Sequence, residues 1–414
     1  MKVFTAFFVA FLTVSSLFAQ IPTNDLVAHY SFNDCSGFDN SGNGSNGSIL
    51  GNPDCEPCGV TGQALDFRGI VDANGKAVDY MLALNQVNNI FGSNDFAVSF
   101  YMKSKNSMGV KDILSKRETC TADNAFAIKF QPATNSIIVE LSENSSKNAN
   151  VSATLDFGRC WQHVVFVRNG TRSLLYINGT LRSENTAVSR VNISNNAVLS
   201  ITNSPCQLTT EVPFEGVLDE FLFYDKALNA DQIRDQLYLG PDEIINEDAT
   251  IFLGESIDLN ATMSCADSYL WSPANFLTDA TIPNPTSTPN STITYTLSFT
   301  ENLVCIAYDS VRITVIDPAD LDCNDIFLPK AFTPNNDNLN DSYGISNPYA
   351  VENLISLEIF DRWGARMFFT DEPFERWDGS FQNQPVNPGV MLYKVRFMCD
   401  GEEKIDVGSL SVIR

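Results

Sequence analysis

His163-Val164-Val165-Phe166-Val167-Arg168, then Asn169-Gly170, then Leu174-Leu175-Tyr176-Ile177, then Asn178-Gly179, is the stretch on which the reading of this chain turns. β-Branched and aromatic residues at two-residue spacing suit a pleated strand. Asn-Gly between two such runs is the strongest short hairpin signal, because a tight hairpin turn needs positive φ at its centre. Similar short runs lie upstream: Val27-Ala28-His29-Tyr30-Ser31-Phe32, then 96–101, 126–130 and 137–141. Helical evidence is thin. Only Asn229 to Leu237 has a cap-like Asn followed by helical spacing. From Leu26 to Leu239 this pattern predicts a two-sheet jelly roll.

A chain of 414 residues is long enough for two to four domains with cores of their own. Met1-Lys2, an apolar run from Val3 to Phe18 and then Ala19-Gln20 read as a secretory signal over 1–19, cut after Ala19. Nothing further along is apolar enough to span a bilayer, so no transmembrane segment is expected after cleavage. The net charge of −24 argues against nucleic acid and anionic membranes as partners. Ten cysteines in an exported chain point to disulfides. Cys265 and Cys305 fall in one proposed domain, and Cys323 and Cys399 bracket another; each couple is expected to pair. Cys35, Cys55, Cys58, Cys120, Cys160 and Cys206 leave the connectivity open. Cys55-Glu56-Pro57-Cys58 lacks the second CxxC or βαβ context that a zinc or redox site needs.

Beyond an acidic linker at 241–248, strand-like runs resume, with Tyr269-Leu270-Trp271-Ser272-Pro273 early and Asp309 to Val315 late. The final block begins Phe332-Thr333-Pro334-Asn335-Asn336-Asp337-Asn338-Leu339-Asn340-Asp341, too rich in Asn, Asp and Pro for a helix. Asn335, Asp337 and Asp341 alternate like calcium-loop ligands, but the Gly and Glu of an EF-hand do not follow, so a turn is expected. Asp361-Arg362-Trp363-Gly364, Trp377-Asp378-Gly379 and Pro388-Gly389-Val390 punctuate further strands. Catalytic motifs are missing: no GxSxG, HExxH, Walker loop or Glu-x-Asp-x-x-Glu cluster. Gly42-Asn43-Gly44-Ser45-Asn46-Gly47 satisfies GxGxxG, but the residues after it cannot open a helix, so it reads as a loop. His29 and His163 lie in apolar strands and read as structural.

Three resemblances follow from these blocks. The last ninety or so residues, from Ile326, resemble the gliding-motility-associated C-terminal domain of Bacteroidetes, the type B sorting module of type IX secretion cargo. Its motif falls here on Phe332, Pro334, Asn335, Asp337, Asn340, Asp341, Trp363, Gly364, Trp377 and Gly379. The resemblance implies type IX machinery as a partner and a secreted or outer-surface destination. Phe32-Asn33-Asp34, Asp39-Asn40-Ser41-Gly42-Asn43-Gly44, Ala64-Leu65-Asp66-Phe67, Trp161-Gln162-His163-Val164 and the run from Gly216 to Leu228 resemble laminin-G-like, concanavalin A-like domains. That family often holds calcium, and the positions carried over are Asn33, Asp39, Asn43 and Asp219. The middle region resembles immunoglobulin-like or polycystic-kidney-disease-like spacers.

The fold expected is therefore all-β: a jelly roll over 20–240, then two small immunoglobulin-like β-sandwiches over 249–318 and 319–414. The expected function is non-enzymatic binding of a glycan or surface protein by the head, with calcium as cofactor. The alternatives are a polysaccharide hydrolase and a structural surface-matrix component.

Overall fold

The computed structural model describes residues 21–105, 108–208, 211–262, 264–301, 305–317, 320–335, 340–351, 353–382 and 384–413. The signal segment and Asp337 of the sorting motif lie outside the described residues. The chain is all-β, as expected, with two facing sheets in the N-terminal region and further sheets C-terminal to them.

The Asn-Gly hairpin of 163–177 forms as predicted. Gln162–Asn169 pairs antiparallel with Arg172–Ile177, and Gly170 sits at φ +64° in the turn. This hairpin lies in the first sheet, whose path runs Thr180–Thr186, Arg172–Ile177, Gln162–Asn169, Phe96–Ser104, Glu215–Tyr224, Ala64–Arg68, Asp54–Glu56; Leu26–Tyr30 also pairs with Glu215–Tyr224. The second sheet runs Lys147–Asn148, Ser136–Asn144, Ala125–Gln131, Val110–Lys116, Leu199–Ile201, Tyr80–Ala83, Gly47–Leu50, with Glu211–Pro213 parallel to Val110–Lys116. Between the sheets lies a phenylalanine-rich core. Phe96, Phe126 and Phe166 meet at ring distances of 5.1–5.6 Å, and Phe100 stacks on Phe221 at 4.7 Å.

Period two alone explains only one face of the hairpin. Val164, Phe166, Leu175 and Ile177 enter this core, while Val165, Val167, Leu174 and Tyr176 join a second cluster with Leu228, Ile233 and Leu237. The cover on that outer face is the short helical segment from Ala230 to Leu237. It begins in a reciprocal capping box between Asn229 and Gln232. A strand buried on both faces reads as a continuous apolar run, which is what 163–167 shows. His163 is structural: it stacks on Tyr101 at 4.4 Å, bonds Ser99 Oγ at 2.8 Å, and burial drives its pKa down to about 3. The GxGxxG loop leads into the strand Gly47–Leu50 rather than a helix.

The described residues group into two compact units. The first takes in 21–249, 256–289 and 293–313, so the jelly roll and most of the spacer belong together. In the spacer, Ser268–Ser272 pairs with Ile293–Glu301, which pairs with Cys305–Ile316. Trp271 fills its core edge-on to Tyr295, with Nε1 donating to the Ile282 carbonyl at 2.9 Å.

The expected Cys265–Cys305 bridge does not form. Cys265 pairs with Cys58 and Cys305 with Cys160, at Cα separations of 5.7 and 5.8 Å. The reason is position: both spacer cysteines lie at the end of the module that meets the jelly roll, and Trp271 packs on Tyr295 without a bridge. Cys35–Cys55 and Cys120–Cys206 close loops within the jelly roll.

The second unit holds the C-terminal module. Its sheet runs Ala331–Phe332, Glu402–Val412, Gly389–Cys399, Asn353–Phe360, Arg366–Thr370. Cys323 pairs with Cys399, as expected. Phe332 and Trp377 are buried at 5.5 Å from each other, and Trp377 Nε1 donates to the Ser380 carbonyl at 2.7 Å. Gly379 has φ +77°, and a side chain there would meet Pro334 and the Phe332 ring. Asp341 accepts the Asn335 amide at 2.8 Å, and the Asn340 carbonyl accepts the Thr333 amide at 2.9 Å; the turn expected over 336–339 lies outside the described residues. Gly364, at φ +84°, turns a hairpin whose Asp361 carboxylate accepts the Trp363 and Ala365 amides. These motif residues are thus absorbed by folding. Trp363 is not: its surface is 82% exposed, with the Arg362 guanidinium 5.4 Å from the ring.

Candidate functional site

Three places in the first unit gather chemistry-bearing side chains. The first is the jelly-roll rim that carries the predicted calcium residues. The register of Glu215–Tyr224 against Phe96–Ser104 breaks between Asp219 and Leu222, a bulge in which Glu220 takes a left-handed φ of +50°. Glu220 Oε2 lies 2.6 Å from His29 Nε2, and its other oxygen accepts the Thr61 hydroxyl. Asp219 is wholly buried; its oxygens accept the Val60 amide at 2.7 Å and the Glu220 amide at 2.9 Å. Burial, then the charge of Glu220, push its pKa up to about 8.

Asp39 is also buried. Burial alone would raise its pKa, but hydrogen bonds from Ser41, His29 and Ser45 outweigh that and hold it below the usual carboxylate range. The amides of His29, Ser41 and Ser45 reach its two oxygens at 2.8–3.0 Å. Asn33 Oδ1 accepts the Gln63 amide at 2.9 Å, and Asn43 Nδ2 donates to the Leu26 carbonyl at 2.7 Å. Each of the four predicted ligands is therefore engaged in tying a loop to a strand. Calcium requires six to eight oxygens turned toward one point. Here amide protons point at those side-chain oxygens, and Asn43 presents its amide nitrogen. Among the described residues, no three Asp, Glu, His or Cys ligand atoms on this rim come within 4.8 Å of one another. The donor set does not suit the ion.

The second place is the outer face of the second sheet. Lys129 reaches Glu140 at 2.6 Å and also pairs with Glu211, while Arg117 pairs with Glu140. Asp112 is wholly buried beside Glu211. Burial, then the Glu211 carboxylate, push its pKa up to about 9, so it stays a neutral acid that can donate its proton to Glu211. Among the described residues no other donor reaches its oxygens. Glycoside hydrolysis needs two carboxyls flanking an open space of roughly 5–9.5 Å. These two touch and are covered, so they serve cohesion of the sheet.

The third place is a cleft of about 440 Å³ where the jelly roll meets the spacer. The strand Ala64–Arg68 brings Asp66 to it, Lys103 and Lys105 come from the end of Phe96–Ser104 and just beyond, the loop 155–160 brings Phe157, and the spacer contributes Glu301 and Cys305. Lys103 Nζ bonds Glu301 at 2.5 Å and lies 4.9 Å from the Trp161 ring; Lys105 Nζ bonds Asp66 at 2.6 Å. The Phe157 surface is 85% exposed. An aromatic ring beside fixed donors and acceptors in a concave site is the arrangement that holds an amphipathic ligand. Asp66 lay inside a block the sequence singled out. Phe157 did not, because a lone aromatic in a polar loop has no periodicity; its only signal is the neighbouring Gly158. Glu301 was missed because the spacer read as a separate module.

Comparison with known proteins places the two ends of the chain. Residues 76–234 match the model of the concanavalin A-like lectin/glucanases superfamily. Residues 326–412 match the CHU_C type IX secretion signal domain, which marks the protein for export to the medium or outer surface. Among curated proteins nothing matches the chain. Among solved structures it is similar to domain 4 of AbnA, an extracellular arabinanase from Geobacillus stearothermophilus, in complex with arabinotriose (20% identity, 51% of this chain and 98% of that one, TM-score 0.38). It is also similar to the binding domain of Paraclostridial Mosquitocidal Protein 1 (14% identity, 94% and 91%, TM-score 0.43). A third likeness is to the Ruminococcus gnavus IT-sialidase CBM40 bound to alpha2,3 sialyllactose (16% identity, 35% and 83%, TM-score 0.31). None of these structural likenesses is close enough to transfer a ligand. No helix among the described residues is long and apolar enough to cross a membrane.

Proposed function

We propose that this chain, a concanavalin A-like head joined to a type IX secretion signal domain, is an exported protein that binds glycans without turning them over. The observation that carries the reading is the cleft with its uncovered Phe157 ring on a lectin-like scaffold. Fold alone does not imply the ligand; the ring and the hydrogen-bonding groups beside it supply the chemistry. The carboxylates with raised pKa support binding over catalysis. Asp219, Asp112 and Asp242 are all buried, away from any substrate.

In this reading the rim residues Asn33, Asp39, Asn43 and Asp219 act as loop ties, and binding proceeds without calcium. Titration of the full chain with calcium is then expected to leave its melting temperature unchanged. The export role lies with the C-terminal module and the type IX machinery. A glycan array probed with the full chain, paired with a reducing-sugar assay on the same polysaccharides, tests the reading. Retention of glycan without release of reducing ends supports it. Release of reducing ends, or no retained glycan, overturns it.

A further inference from the structure

The loop that carries Phe157 is pinned on both sides of the ring, and half of the pins come from beyond the jelly-roll sheets. The Leu155 amide donates to the Asn135 carbonyl at 2.8 Å. The Asp156 carbonyl accepts from Gln162 Nε2 at 2.7 Å, and its carboxylate pairs with Arg182 at 2.7 Å. The Gly158 carbonyl accepts the amide of Tyr308, a spacer residue, at 2.9 Å. Arg159 pairs with Glu243 of the linker at 2.6 Å, and Cys160 is bridged to Cys305 of the spacer. Every residue from Leu155 to Cys160 is tied through backbone or side chain except Phe157, whose side chain stands in solvent. Exposing a whole Phe ring forfeits the stabilisation its burial would bring. Holding that ring on a fixed loop removes the ordering cost that a ligand would otherwise meet.

The charges around the ring describe what it takes. Lys103 is paired with Glu301, Lys105 with Asp66 and Asp156 with Arg182, so these ion pairs are closed. Glu56, also on the cleft wall, has no ion-pair partner among the described residues and would repel an acidic sugar. The Asp66 oxygen that Lys105 does not reach is buried, so the cleft meets this pair through the Lys105 ammonium, about half exposed. A neutral sugar meets these conditions: an apolar ring face for Phe157, and hydroxyls for the outer atoms of the closed pairs.

We propose that the cleft is a composite site for a neutral oligosaccharide, built by the jelly roll and spacer together and held in shape by the Cys160–Cys305 bridge. This rests on the glycan-binding reading above and adds where the glycan lies and why the spacer is needed. The test is calorimetric titration of the full chain with cellohexaose, xylohexaose, mannohexaose and arabinohexaose. Against whichever probe binds, Phe157→Ala is expected to weaken affinity about tenfold or more, a step of about 1.4 kcal/mol, with an unchanged melting temperature. Phe157→Trp is expected to keep the affinity. The pair Cys160→Ala/Cys305→Ala is expected to weaken it too, although neither sulfur offers the sugar a hydrogen-bonding group of any strength. Lys105→Ala is the second probe of the wall should Phe157→Ala melt early, and it is expected to weaken binding likewise. If wild type binds a probe and Phe157→Ala and Lys105→Ala bind it equally well, the composite site is overturned while glycan binding stands. If no probe binds, the neutral site is overturned, and the glycan-binding reading falls with it only if the array also retains nothing.

Discussion

Replacing Cys160 and Cys305 together by alanine removes one of two covalent ties between jelly roll and spacer. The bridge closes a sequence separation of 145 residues. In the chain-entropy model a loop of that length restricts the unfolded ensemble by about 5 kcal/mol. The other tie, Cys58–Cys265, attaches well away in sequence, so it shortens this loop little when it remains intact. Lys103 with Glu301 and Tyr308 with Gly158 still join the two modules after the substitution, although the loop 155–160 is held less tightly without its bridge. The loss therefore falls mainly on the unfolded state, and stability should drop by several kcal/mol. For a unit this large that is roughly 10 °C in melting temperature, at about 2 °C per kcal/mol. Urea unfolding of the full chain, with peptide mapping under non-reducing conditions, reads both the energy and the connectivity. A loss below about 1 kcal/mol, or a mapped Cys265–Cys305 peptide in wild type, would refute the reasoning.

Three further outcomes are expected. Asp219 has its pKa raised in the fold to about 8, so it contributes no penalty below the ordinary carboxylate value. The penalty grows as pH rises through the window up to about 8, at an upper limit of about 1.4 kcal/mol per unit; Asp219→Asn should flatten that decline in pH-dependent melting. Trp377→Ala empties the core of the C-terminal module and should cost about 3–5 kcal/mol there, read by protease sensitivity of that module and by reduced export. A chain cut before Cys323 should accumulate in the periplasm of a host with type IX secretion; its normal appearance in the medium would remove the sorting role from this module.

Legibility followed the range of the interactions. The Asn-Gly hairpin and the Asn229 cap are local, and each formed where residue types demanded. The Cys323–Cys399 bridge was readable because the two ends of one module bracket it. The Cys58–Cys265 and Cys160–Cys305 bridges were not, because they depend on which ends of two modules meet, and no period in the sequence encodes that. The predicted calcium residues were found at the rim, but their types fit an amide-tied loop as well as an ion. Only the directions of the N–H groups of His29, Ser41, Ser45 and Val60 distinguish the two. Phe157 illustrates the same limit from the other side: its importance lies in what fails to cover it.

The most direct measurement is a crystal structure of the full chain with a bound neutral hexasaccharide from the probe set. The account predicts a sugar ring lying over Phe157, with a hydroxyl near Lys105 and the spacer's Glu301 beside the ligand. A sugar seated on the outer face of the second sheet, or at the rim beside His29 and Glu220, would contradict it.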